Sequence, residues 1–218
     1  MNRLRIALTK GRLQKQTTEL FEAMGLDCTP IREPGRRLIH SIPNYPIDLV
    51  LAKAPDVITY VEHGVCHMGI VGKDSILESG RPFYEVLDLG LGKCRFALAV
   101  QSGSDFYGTY KTRRIASKYP NVTRDFFEKK GMDIEVIKIE GSVELAPILG
   151  LADAIVDLVE TGDTLRANGL VPIEDVMQIS ARLIVNTAAM KLYRTEIMDF
   201  VKRCEEGICA MQAGEAAC

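Results

Sequence analysis

A carboxylate followed by two threonines flanking a glycine is a combination that can grip a sugar phosphate. It occurs here as Asp157-Leu158-Val159-Glu160-Thr161-Gly162-Asp163-Thr164, directly after the apolar run Ala154-Ile155-Val156. The pattern reads as a buried parallel strand closed by Asp157, a hydroxyl-rich turn, and a helix start. Backbone N–H groups converge at such a turn and suit a phosphate. Thr161 and Thr164 add hydroxyl donors, Gly162 lets an anion approach the backbone, and Asp157 can accept hydrogen bonds from the vicinal hydroxyls of a ribose. The structural alternative is a strand-turn-helix junction in which Asp157 or Thr161 caps the helix.

A second candidate lies near the amino terminus, where Thr9-Lys10-Gly11-Arg12 separates a strand-like segment from a helix-like one. The carboxyl end of a parallel strand is where α/β sheets bind ligands. Gly11 would let a triphosphate reach the backbone, and Lys10 and Arg12 would supply charge; a capped turn with two solvated bases is the other reading. Lys53, Lys73, Lys93 and Arg95 also fall at expected loop ends, where scattered solvated cations are equally normal. His63 and His67 stand four apart, a metal-ligand spacing on an unbroken helix, but Gly64 interrupts it and no zinc site is expected. None of the three histidines has a partner that would give it acid–base work.

The positioning elements follow from periodicity and punctuation. Leu4 to Leu8 reads as a strand, and Leu13 to Met24 as a helix with Leu13, Leu20, Phe21 and Met24 on one face, stopped by Gly25. Pro30 to Pro46 is turn-rich and basic, with Arg32, Arg36 and Arg37, and holds a hairpin around Leu38 to Ile42. Then come a strand Ile47 to Ala52, a helix Asp56 to His63 and a strand Met68 to Val71. Gly72-Lys73-Asp74 opens a helix through Glu78, with Asp74 either its cap or a nucleotide ligand. Tyr84 to Leu89 precedes the loop Gly90-Leu91-Gly92-Lys93.

Two long apolar strands, Cys94 to Gln101 and Ala181 to Asn186, are expected to cross between lobes, because the segment between them can form a compact unit. That unit comprises the strand Arg114 to Ser117, a helix Val122 to Lys130, a strand Ile134 to Ile139, a helix Val143 to Leu149, and the strand Ala154 to Val156 with its turn. One helix, Thr187 to about Cys204, returns to the first lobe. The tail, Glu205 to Cys218, lacks a clear apolar face and is expected to fray or serve an interface. The fold class expected is α/β, with residues 1–93 plus 181–218 as one lobe, 94–180 as the other, and a cleft between two hinge strands.

At 218 residues, 47% hydrophobic and 26% charged, the chain is long enough for one sizeable core or two smaller ones. A net charge of −2 argues against a general nucleic-acid surface but not against phosphorylated small molecules. No apolar run approaches the roughly 20 residues of a membrane span. The amino terminus lacks a secretory core, so a cytoplasmic location is expected. The six cysteines show neither a CxxC pair nor regular spacing and are expected to be reduced thiols.

The acid followed by TG-x-T resembles the phosphoribosyl-diphosphate (PRPP) loop of phosphoribosyltransferases. The longer string GSVE (Gly141 to Glu144), then AP, then GLADAIVDLVETGDTL, resembles the signature of the ATP phosphoribosyltransferase family, whose enzymes open histidine biosynthesis. LTKGRL (Leu8 to Leu13), YVEHG (Tyr60 to Gly64), MGIVGKD (Met68 to Asp74), GKCRFALAV (Gly92 to Val100) and RRIASKYP (Arg113 to Pro120) match in the same order. The resemblance implies a two-lobed fold of the periplasmic-binding-protein type II class and transfer of the phosphoribosyl group of PRPP to N1 of ATP. It implies that Asp157 holds the ribose hydroxyls and that Thr161, Gly162, Asp163 and Thr164 hold the 5-phosphate. Glu144 would stand beside the sugar, and Lys10, Gly11, Arg12, Asp74 and Arg95 would line the ATP side with Lys53 nearby. Lys10 and Arg12 would neutralise the diphosphate, and Mg2+ would travel on that diphosphate rather than in a protein cage.

The chain stops where long-form relatives continue into a histidine-sensing domain. The resemblance is therefore to the short form, which works with a regulatory subunit similar to histidyl-tRNA synthetase in a hetero-oligomer; self-association is also expected. Where family members often carry an acid, this chain has His67. The rival readings are a non-enzymatic solute-binding protein, a phosphoribosyltransferase for another base, and a regulatory protein without activity. The first lacks an export signal, the second need not share LTKGRL or MGIVGKD, and the third is at odds with the intact motif positions.

Overall fold

The computed structural model describes residues 3–33, 35–108 and 111–215. In chain order the elements are β1 (Leu4–Thr9), α1 (Arg12–Ala23), α2 (Thr29–Arg32), β2 (Ile39–Ser41), β3 (Ile47–Ala52), α3 (Ala54–Glu62), β4 (Met68–Gly72), α4 (Lys73–Ser79) and β5 (Tyr84–Asp88). There follow β6 (Cys94–Gln101), β7 (Arg113–Ser117), α5 (Pro120–Lys129), β8 (Ile134–Lys138), α6 (Leu145–Ile148), β9 (Ala154–Val159), α7 (Asp163–Ala167) and β10 (Leu170–Ile179). The chain closes with β11 (Ala181–Val185), α8 (Thr187–Leu192) and α9 (Arg194–Glu215). Two compact units result: residues 1–76, 81–92 and 180–218 form unit 1, and residues 77–80 and 93–179 form unit 2. The chain passes into unit 2 at Gly92–Lys93 and returns at Ile179–Ser180, so β6 and β11 each open just after a crossing.

Unit 1 is a sheet of order β2-β3-β1-β4-β11-β5, in which β1 lies parallel to both β3 and β4. The two-residue alternation of β1 sends Leu4, Ile6 and Leu8 into one core with Leu20, Phe21 and Phe200, and Ala7 into a second core with Val57 and Val61 of α3. β2 pairs antiparallel with β3, which makes the hairpin expected around Leu38 to Ile42.

The carboxyl-terminal region departs from expectation. The single helix expected from Thr187 breaks at Tyr193 into α8 and α9, and α9 runs to Glu215 instead of fraying after Cys204. Cys204, Ile208 and Met211 recur at helical spacing and pack on the core of unit 1. A Cβ on Gly207 would come within 2.7 Å of Met24, so the glycine lets α9 lie close against α1. Only 216–218 of the tail fall outside the described residues, Cys218 among them.

Unit 2 is a sheet of order β10-β6-β9-β7-β8, with β7 parallel to β8 and β9 and with β6 antiparallel to its neighbours. β9 does not end at Asp157 but runs on to Val159, held by β6 through the pairs Ala97↔Asp157 and Arg95↔Val159. Along it Ala154 and Val156 face one core, and Ile155 and Val159 face another with Val143, Ala146 and Leu165. Asp157 therefore projects from the face that α6 and α7 cover. Glu78, from the short piece of α4 in this unit, accepts the Asn121 N–H at 2.9 Å and the Val122 N–H at 3.3 Å, capping α5.

Candidate functional site

In unit 2 the residues expected to hold the sugar phosphate come together. Glu144, Asp157, Glu160, Thr161, Gly162, Asp163 and Thr164 line one cavity of about 240 Å³. Buried Val143 anchors the segment that presents Glu144, and buried Leu165 anchors the turn from below. Gly162 has φ 77°, a left-handed conformation that an L side chain resists, and it opens the five-residue α7. Thr161 and Thr164 are exposed and available to a ligand. The Thr161 hydroxyl donates to Asp163 Oδ2 at 2.6 Å, and Arg166 pairs with the other carboxylate oxygen of Asp163.

Asp157 differs from the acids around it. Burial pushes its carboxyl up to about 6 and the charge of Glu144 pushes the same way, while the Leu158 N–H, donating at 2.8 Å, and Lys118 oppose the rise. The Thr161 hydrogen bond and then the pairing with Arg166 instead hold the carboxyl of Asp163 below the usual range. The cradle thus holds one carboxyl poised to titrate near neutrality beside one that stays ionised.

In unit 1 residues expected on the nucleotide side share one edge. Lys10 follows β1, Lys53 follows β3, and Asp74 lies just beyond β4, all at the carboxyl ends of adjacent parallel strands. The Lys10 N–H donates to the Ala52 carbonyl at 2.9 Å, and the Thr9 hydroxyl donates to the Ile70 carbonyl at 3.0 Å, which fixes the three strand ends together. Gly11, at φ 94°, makes the bend into α1, so Arg12 opens that helix. The Asp74 carboxylate folds back over Gly72, where a Cβ would lie 2.1 Å from Oδ1.

Arg95, also expected on the nucleotide side, is carried by the other unit. It lies in unit 2 on β6, opposite Val159, and forms an ion pair with Asp175 at 2.7 Å. A residue that sequence reasoning left in a basic turn joins the unit 1 edge instead. The Leu51 N–H donates to the Leu38 carbonyl at 3.0 Å, which carries Arg37 to the carboxyl end of β3, and Arg36 and Arg37 line a pocket with His40. Only strand register reveals this, because Arg37 and Ala52 stand fifteen positions apart in the sequence. His67 has a structural role: its Nδ1 accepts the Arg5 N–H at 2.8 Å and its ring meets Tyr193 edge-on. Among the described residues no group of three or more His, Cys, Asp or Glu side chains is arranged to hold a metal ion.

The sheets are those of the periplasmic-binding-protein type II class. An aliphatic sulphonate-binding protein from Escherichia coli superposes with a TM-score of 0.63 at 13% identity, over all of this chain and 76% of that one, a likeness of fold alone. Relatives of higher identity place the protein among the pentosyltransferases. The family model described as ATP phosphoribosyltransferase matches residues 53–206. Enzymes so named from Clostridium kluyveri and Clostridium acetobutylicum are 57% and 59% identical over 92% of this chain, covering 92% and 93% of their own lengths. The ATP phosphoribosyl transferase (HisG:HisZ) complex from Thermotoga maritima matches with a TM-score of 0.78 and 31% identity over 94% of this chain and 98% of that one. The chain belongs to the ATP phosphoribosyltransferase family and catalyses the step of histidine biosynthesis that the family serves.

Proposed function

We propose that ATP is held at the unit 1 edge and PRPP in the unit 2 cradle, and that N1 of the adenine displaces diphosphate from the anomeric carbon. One N–C bond forms as one C–O bond breaks, and the diphosphate leaves with the electron pair. The observation that carries this reading is the cavity lined together by Glu144, Asp157 and the Thr161–Thr164 turn. Asp157 accepts from the ribose hydroxyls, and the 5-phosphate takes the threonine hydroxyls and the N–H groups of the turn. Asp163 serves through its backbone, since its carboxylate repels a phosphate. As the leaving group departs, the sugar becomes cationic, and Glu144 favours that charge.

On the unit 1 side Lys10, Arg12 and Lys53 meet the phosphates of ATP, with Gly11 admitting them to the backbone and Asp74 at the nucleotide. Lys10 and Arg12 also neutralise the departing diphosphate, joined by Arg37 at the same edge. Arg95 serves the nucleotide from unit 2, on the strand that pairs with β9. Mg2+ enters as part of the substrate, bound to the diphosphate of PRPP; a hard cation that prefers phosphate oxygens and water fits a cradle whose own side chains are acidic. No nucleophilic side chain is required, and alignment with electrostatics supplies the rate.

The Thermotoga relative was solved as a HisG:HisZ complex. We infer a comparable separate regulatory subunit for this chain, and a cytoplasmic setting where both substrates are made. Among the described residues no helix is long and apolar enough to cross a membrane. The test is to mix the purified chain with ATP, PRPP and magnesium, with and without the partner subunit, and follow phosphoribosyl-ATP by absorbance and mass. Product in at least one mixture is expected. Its absence from both, with ligand binding retained, returns a non-catalytic binding role.

A further inference from the structure

We propose that Arg166 is a positioning residue for the 5-phosphate, acting through Asp163; the inference rests on the cradle reading above. The cavity wall carries the carboxylates of Glu144, Asp157, Glu160 and Asp163, and neither lysine nor arginine is among its lining residues. A phosphate dianion entering there meets the hydroxyls and N–H groups of the turn, but also four carboxylates. Asp163 is the most serious obstacle, because it sits within the turn itself.

Arg166 answers that obstacle from outside the cavity. One guanidinium nitrogen pairs with Asp163 Oδ1, and the other donates to the Thr161 carbonyl at 3.1 Å. A Cβ on Gly162 would stand 3.2 Å from Arg166 Nη1, so the guanidinium lies over the glycine. Asp163 in turn accepts the Thr161 hydroxyl at 2.6 Å. A single side chain therefore fixes three consecutive residues of the turn, cancels the charge of Asp163, and engages the Thr161 carbonyl, the backbone acceptor that would oppose a phosphate. With 63% of the Arg166 side chain and 75% of that of Asp163 exposed, the pair is open to solvent, so its effect is modest and screened by salt.

The test is calorimetric titration of ribose 5-phosphate into the full chain at low and high ionic strength. Arg166→Ala is expected to weaken binding about five-fold at low salt, with the deficit shrinking as salt rises. Arg166→Lys should restore part of the loss, and adding Asp163→Asn to Arg166→Ala should restore most of it, because the charge to be cancelled is gone. ATP affinity should not change in any of them. Wild-type affinity in Arg166→Ala at low salt, or a double variant as weak as Arg166→Ala alone, overturns the inference. Failure of the wild-type chain to bind ribose 5-phosphate overturns the cradle reading itself, and this inference with it.

Discussion

The two units present ligand edges of opposite charge. In unit 1, three parallel strands end at Lys10, Lys53 and Asp74, with Arg12 and Arg37 close by in sequence and register. In unit 2, the turn after β9 is surrounded by Glu144, Asp157, Glu160 and Asp163. On the reading proposed above, a polyphosphate would meet cations, and a ribose whose anomeric carbon becomes cationic would meet anions. The contrast teaches that charge, rather than fold, divides the work, since both edges are built by ordinary strand-loop-helix junctions.

The largest expected effect is at Asp157. Asp157→Asn should lower kcat/KM by about 10²- to 10³-fold, the size of losing one well-placed electrostatic group. The same change should raise the melting temperature at pH 7. Burial lifts this carboxyl from 3.8 to about 6, so the folded state retains a proton that the unfolded chain releases between those values. Stability therefore falls as pH rises through that window, by at most about 3 kcal/mol, and the cost is fully present above it. Calorimetric melts should show the variant ahead at pH 7 and level with wild type below about pH 4. In wild type, affinity for ribose 5-phosphate should fall as pH drops through about 6.

Lys10→Ala tests the opposite edge. It should weaken ATP by about ten-fold, a charge-assisted hydrogen bond's worth, with ribose 5-phosphate affinity unaltered. Equal loss of both ligands would erase the contrast. A comparable effect belongs to Gly162→Ala, where an L residue at φ 77° costs about 1–2 kcal/mol. Ribose 5-phosphate titration should register that loss while ATP binding stays intact. Smallest for function is His67→Ala, which leaves the Arg5 N–H without its acceptor. It should lower thermal stability by about 1 kcal/mol and leave kinetic constants at both edges unchanged.

Much of this was legible in the residues. Strands with uninterrupted apolar runs, such as β3, β4 and β6, declare themselves, and so does the cradle, because Thr161-Gly162-Asp163-Thr164 is local in sequence. What escaped depends on distant partners. Asp157 looks like a strand end, yet pairing with Ala97 continues the strand past it. β10 holds Pro172 and two register shifts, so its two-residue period is broken and the sheet edge alone reveals it. The alanine-rich tail shows no clear apolar face until the core of unit 1 and α1 supply a surface for Ile208 and Met211. Arg166 looks like one more solvated base until the turn folds under it.

The most direct test is a parallel titration of ribose 5-phosphate, which lacks the diphosphate assigned to Lys10, into wild type, Asp157→Asn and Lys10→Ala. Asp157→Asn is expected to lose at least about ten-fold in affinity, and Lys10→Ala to stay within about two-fold of wild type, a margin of roughly 0.4 kcal/mol. Wild-type affinity in Asp157→Asn would contradict the assignment of the sugar phosphate to the cradle of unit 2.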